Sequence, residues 1–215
     1  MAGRLRFLDR ADAGRVLSAE RQLQQRDAGR DPVVLALPRG GVPVAAPVAE
    51  TLGVRLAVLV VRKLGAPGQP ELAVGAIAAL GDHVVRVTND DVVRRIGLDE
   101  DGLRAIAAAE TRELEARVAI FGSAPDVSGR TVIVVDDGLA TGATMRVAVG
   151  AVREAGAAYV VAAAPVGAPG ACRELERLAD LVVCPRRPDP FRAVGEHYRD
   201  FAQVSDDEVL ALLGR

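Results

Sequence analysis

The sequence predicts an α/β fold, an open parallel sheet with flanking helices, in one domain spanning 1–215. Three observations carry this. Short Val-rich runs recur along the chain and read as strands buried on both faces, the pattern of a parallel sheet. Polar segments with helical spacing separate them, and such alternation implies right-handed βαβ crossovers. The 215 residues are 50% hydrophobic and 26% charged, which suits one packed domain and argues against disorder. Aromatics make up only 3% and Trp is absent, so the core must be built from Val, Leu, Ile and Ala.

The elements follow in order. Residues 12–26 alternate apolar and charged positions and read as a surface helix, broken by Asp31 and Pro32. VVLAL (33–37) is a buried strand ending in the turn Pro38-Arg39-Gly40-Gly41. A short helix over 42–53 closes at Gly53; Pro47 implies a start near Val44 or a kink. LAVLVV (56–61) is the second core strand. In 62–81 the first half, with Gly65, Pro67, Gly68 and Pro70, has the composition of a loop, and the second half suits a hairpin. HVVRVTN (83–89) reads as a strand and 90–121 as one long polar helical stretch. Then come strand 131–135, a helix to Gly156, strand 157–166, helix 170–179 and strand 180–184. SDDEVLALLG near the end has the signature of a capped terminal helix. The core spans about 30–184, and 185–215 form a tail.

The formal charge is −2, so no global basic field favours nucleic acid. The two cysteines, Cys172 and Cys184, are too few for a disulfide scaffold and have no metal-site spacing. The first residues lack the apolar stretch of a signal peptide, and no apolar run is long enough for a membrane span. A cytoplasmic setting is expected.

The sharpest signal is TVIVVDDGLATGATM (131–145). A buried strand runs out into Asp136 and Asp137, followed by the small-residue loop Ala140-Thr141-Gly142-Ala143-Thr144 and a helix. Ligands bind at the carboxyl ends of parallel strands. A small-residue loop at a helix N-terminus offers free N–H groups to a phosphate, and Thr141 and Thr144 add hydroxyl donors. The carboxylates would repel a phosphate beside them. They suit a vicinal diol, or Mg²⁺ held directly or through water. A diol at the acids and a phosphate at the loop describe a ribose 5-phosphate. Neither G-x-x-x-x-G-K-[ST] nor G-x-G-x-x-G occurs in the chain.

This segment resembles the phosphoribosyl pyrophosphate (PRPP) signature of the type I phosphoribosyltransferases: an apolar strand, an acidic pair, and T-G-x-T. The resemblance implies that Asp136 and Asp137 hold the ribose hydroxyls and Mg²⁺, and that Ala140 to Thr144 cradle the 5-phosphate. Relatives acting on 6-oxopurines carry an Asp just before T-G; here that residue is Ala140.

Two further stretches match. In ALPRGGVPVA (36–45), Arg39, Gly40 and Gly41 make a tight cationic turn suited to pyrophosphate, although such a turn also occurs without a ligand. It resembles the family's pyrophosphate loop, which often carries a non-proline cis peptide; the candidate bond is Arg39–Gly40. In VVRKLGAPGQPELAVGAI (60–77), Arg62 and Lys63 leave a strand at the ligand edge, expected beside Arg39 in the sheet; a solvated basic pair is the other reading. The Gly/Pro-rich stretch after them resembles the flexible loop that closes over PRPP and excludes water. Glu71 is its only acid and is the candidate general base; a solvated loop acid is the other reading. The resemblance further implies that the tail builds part of a hood selecting the base, with Phe191, His197, Tyr198 and Phe201 either stacking on the acceptor or packing the tail.

What the resemblance implies is phosphoribosyl transfer to a nitrogenous acceptor, with release of pyrophosphate. Arg39, Lys63 and Mg²⁺ would stabilise the departing charge, and Glu71 completes the catalytic set. The implied partners are PRPP and a base, with a homodimer as one assembly and neither membrane nor nucleic acid. The rival class is a regulator that senses PRPP or nucleotides on the same fold.

Overall fold

Along the chain run α1 (Arg10–Ser18), α2 (Arg21–Gln24), β1 (Val33–Ala36), α3 (Gly41–Leu52), β2 (Leu56–Val58), β3 (Val61–Ala66), β4 (Gln69–Leu80) and β5 (His83–Thr88). These are followed by α4 (Asp90–Ile96), α5 (Glu100–Phe121), β6 (Thr131–Val135), α6 (Ala143–Glu154), β7 (Tyr159–Ala163), α7 (Pro169–Leu175), β8 (Leu181–Val183) and α8 (Asp206–Leu212). The structure is a computed structural model and describes residues 6–24 and 32–215. The helix expected over 12–26 is two helices, α1 and α2, parted at Ala19 and Glu20; its end and the break at Asp31 fall outside the described residues.

The expected parallel sheet is present, with five strands in the order β2-β1-β6-β7-β8. All four pairings are parallel, and β1 and β6 align Val33 with Val132 and Ala36 with Val135. Alternate strand residues serve opposite faces. Val34, Ala36, Ile133 and Val135 pack with Val44 and Val48 of α3. Val33, Leu35, Val132 and Val134 pack with Met145, Ala148 and Val152 of α6. Both faces are thus covered by aliphatic side chains, each Val, Leu, Ile or Met contributing about 1.5–3 kcal/mol on full burial.

Several expectations are corrected in detail. The run 56–61 is two strands, because the chain leaves the first sheet after Val58. The Leu59 amide still donates to the Ala36 carbonyl (2.9 Å), and Val61 opens a second sheet of order β3-β4-β5. The Gly/Pro-rich stretch is not a loop but the β3–β4 hairpin, which turns at Pro67 and Gly68. Gly65 and Pro70 sit at its register shift, where a Cβ on Gly65 would lie 2.7 Å from the Pro70 carbonyl oxygen. The stretch 90–121 is two helices, separated by a left-handed cap at Gly97 and a side-chain cap from Asp99. Helix α3 starts at Gly41, earlier than Val44, and runs through Pro47. Pro43 lies in its first turn, where a missing N–H loses no helical bond. The terminal helix is capped as expected, Ser205 Oγ accepting from the Glu208 amide (3.1 Å).

Among the described residues, no helix is long and apolar enough to cross a membrane.

Candidate active site

From β1 the chain crosses to β2 on one side; from β6 it crosses to β7 on the other. Helices α3 and α6 therefore leave adjacent strands for opposite faces, which opens a crevice at the strands' carboxyl ends. The Pro38–Gly41 turn and the acidic pair stand side by side there. The Leu37 amide donates to the Val135 carbonyl (2.9 Å). A Cβ on Gly41 would lie 2.6 Å from that same oxygen, so the turn can approach the end of β6 only with glycine in this place. The non-proline cis bond is Pro38–Arg39, one bond before the expected Arg39–Gly40.

The two carboxylates differ in their surroundings. Asp136 accepts the Asp137 amide on Oδ1 (2.9 Å). Its pKa is pushed up to about 8, mainly by burial and then by the Asp137 charge, with the Asp137 amide and Arg10 opposing. Asp137 is also raised by burial, but the Arg10 guanidinium pulls the other way. Arg10 Nε donates to Asp137 Oδ2 (2.9 Å), in an ion pair whose side chains are only 11% and 16% exposed. That same oxygen lies 2.1 Å from where a Cβ on Gly40 would sit, so Asp137 is pressed against the glycine turn.

The loop Ala140 to Thr144 opens α6 as expected. Gly142 is the N-cap, with φ of 69°, a left-handed conformation that favours glycine. The Ala143 amide donates to Thr141 Oγ (3.3 Å), shaping the turn. The Leu139 amide and carbonyl bond to Val166 (2.9 Å) and Ala168 (2.8 Å), which anchors the loop to β7's exit. Ala140, Thr141, Ala143 and Thr144 are exposed. Beside them a cleft of about 1020 Å³ runs along α6 and the second sheet, with Lys63, Gly75, Val87, Ala143 and Thr144 among its lining residues.

The expected cations each lie beside a carboxylate. Arg39 approaches Asp206 of α8 (3.6 Å), Arg62 pairs with Glu110 of α5 (2.8 Å), and Lys63 pairs with Glu71 across the hairpin (3.2 Å). The strands expected to be neighbours do pair, as β1 and β2, but Lys63 does not leave that edge: Arg39 follows β1 of the first sheet, and Lys63 lies within β3 of the second. Glu71, the candidate base, is 96% exposed. Among the described residues, no group of three or more His, Cys, Asp or Glu side chains is placed to hold a metal by itself. Asp136, a desolvated carboxyl beside a second acid, fits a site completed by a ligand's own oxygens.

Sequence reasoning missed Arg10. It sits 127 positions from Asp137 and lies in a surface helix, so nothing local marks it. The tail explains its placement. Arg10 also donates to the Ala202 carbonyl (2.8 Å) and lies 3.9 Å over the Phe201 ring. The Tyr198 hydroxyl donates to the Asp137 carbonyl (2.6 Å), and its ring packs on Phe7 and Phe201. His197 is buried and stacks on Phe191. Of the tail aromatics, Tyr198 packs the tail onto the site, while Phe201 is 37% exposed.

Comparison with known proteins bears on the family and the fold. Residues 7–200 match the family described as "Phosphoribosyl transferase domain". The chain is 50% identical over 212 residues to the Mycobacterium tuberculosis protein named "Putative phosphoribosyl transferase Rv0571c", covering 97% of this chain and 46% of that protein. It thus spans about half the length of that curated relative. A crystal structure of TT1426 from Thermus thermophilus is 40% identical, with a TM-score of 0.82 and 97% of both chains covered. The family match over nearly the whole chain and the shared parallel-sheet architecture place this protein in the phosphoribosyl transferase family.

Proposed function

We propose that the chain is a phosphoribosyltransferase that binds Mg²⁺–PRPP in the crevice between β1 and β6 and transfers phosphoribose to a nitrogenous base. The observation that supports this most is the convergence of three parts at one switch point: the Gly40–Gly41 turn, the Asp136–Asp137 pair and the loop opening α6. The chain 1–215 acts as one unit, with a core of about 30–184. Residues 185–215, together with the N-terminal segment, form the hood.

The 5-phosphate lies on the amides of Ala140 to Thr144, where the helix dipole and the Thr141 and Thr144 hydroxyls face it. The ribose diol lies at Asp136 and Asp137, and the pyrophosphate at the Arg39–Gly41 turn. Asp136 and Asp137 would hold Mg²⁺ with the ligand's oxygens; the ion supplies positive charge against the pyrophosphate. A base nitrogen attacks ribose C1 as the bond from C1 to the pyrophosphate oxygen breaks, and the bonding pair leaves with pyrophosphate. Charge builds on the sugar ring and the leaving group, so positioning and electrostatics carry the catalysis. Lys63 on the hairpin closes over the leaving group, and Glu71 takes the proton from the base.

The test is pyrophosphate release from PRPP with a panel of bases. Release with at least one base, lost in Glu71→Gln at unchanged PRPP affinity, is the expected result. PRPP binding with no release for any base would favour the sensing role instead.

A further inference from the structure

Asp206 stands between two arginines without satisfying either. Its Oδ1 lies 3.6 Å from Arg39, in the turn after β1, and its Oδ2 lies 3.5 Å from Arg117 of α5. Both distances exceed those of a charge-assisted hydrogen bond. Elsewhere in this molecule, arginine pairs close to 2.8 Å at Arg62–Glu110 and 2.9 Å at Arg10–Asp137. Oδ1 of Asp206 is shielded from solvent and accepts no hydrogen bond. Among the described residues, neither Arg39 nor Arg117 has another partner. Two guanidiniums against one carboxylate leave a surplus positive charge and most of their donors unused. Side-chain exposures of 32% for Arg39, 46% for Arg117 and 36% for Asp206 keep the group open to exchange with solvent.

We propose that Arg117 is a second cation of the pyrophosphate site and that Asp206 is its resident competitor, holding the Arg39–Arg117 pair in the free protein and yielding it to a diphosphate. This deepens the PRPP reading and rests on it. A diphosphate offers several charged oxygens on two adjacent phosphorus centres and can accept from both guanidiniums at once. The Asp206 carboxylate carries one charge and reaches neither within bonding distance. Asp206 is the first residue of α8, at the end of the irregular stretch of the tail rather than inside a helix.

The proposal makes a gain of affinity its signature, which damage to the fold does not mimic. Asp206→Asn keeps the side-chain shape and leaves the Ser205 cap in place. It is expected to bind magnesium pyrophosphate and PRPP about three- to fivefold tighter, the weight of a half-exposed ion pair. Ribose 5-phosphate, which has no diphosphate, is expected to bind unchanged. Arg117→Ala is expected to lose at least about tenfold in pyrophosphate affinity, in the native and the Asp206→Asn backgrounds alike. Calorimetric titration of each folded variant, with Asp206→Ser as a second replacement, decides the matter. Unchanged or weaker pyrophosphate binding in both Asp206 variants, or no loss in Arg117→Ala, overturns the proposal. The two layers fail separately. PRPP binding that ignores Asp206 removes the competitor and leaves the PRPP reading standing. A pyrophosphate response in a protein that binds no PRPP removes that reading and keeps the anion site.

Discussion

Asp136 and Asp137 are adjacent in sequence, yet the fold gives them unequal tasks. Asp137 is pinned by Arg10 and by the Gly40 turn, while Asp136 sits desolvated with a pKa of about 8. An ordinary aspartate titrates near 3.9. Between about pH 4 and about pH 8 the folded chain therefore keeps a proton that the unfolded chain has lost. The stability this group contributes is complete below about pH 4 and is lost as pH rises through about 8. Asp136→Asn removes that dependence. Thermal melts at pH 6 and pH 9 should show a smaller alkaline loss in the variant than in the native protein, and an identical loss in both would refute the assignment. The acidic pair and the T-G-x-T loop were legible because their chemistry is local: carboxylates at a strand end, small residues at a helix start. The Arg10 partner was not legible, since an ion pair across 127 positions leaves no mark in either segment.

At the scale of elements, the long strands and helices followed from apolar periodicity, and the errors fell on glycine and proline. Gly65, Pro67, Gly68 and Pro70 read as a loop but serve the turn and register shift of a hairpin, where backbones approach too closely for a side chain. Gly97 ends one helix before the next in a stretch that periodicity alone joins. The expected place of Lys63 failed for a related reason. A continuous apolar run, 56–61, conceals the point at which the chain passes from one sheet to another. Arg10 ties α1 to the end of β6 and to the tail. Arg10→Met leaves Asp137 without its counter-charge and should destabilise the protein by roughly 3 kcal/mol. Asp137→Asn in the same chain should recover part of that loss. Hydrogen exchange at 198–204 should accelerate in Arg10→Met. Unaltered exchange there, with native stability, would show that the contact holds nothing in place.

For the molecule as a whole, strand order does the functional work. Placing β1 beside β6 brings two loops nearly a hundred positions apart, on the order of half the chain, to one crevice. The parallel sheet was foreseeable from its Val-rich strands; the crevice between β1 and β6 was not, because strand order depends on which crossover turns which way. The second sheet, with α5 and α6 packed on it, carries Lys63 to the cleft that Ala143 and Thr144 also line, and Phe7 and Tyr198 join the described N-terminal segment to the tail. The central claim is that this crevice binds the ribose and phosphate of PRPP through the acids and the loop. Its most direct test is a calorimetric titration with Mg²⁺–PRPP of the native protein and of the folded Asp136→Asn/Asp137→Asn double variant. The account predicts one site that depends on Mg²⁺ and is weakened at least about tenfold in the variant. Equal affinity in the two proteins, or no binding to the native one, would contradict it.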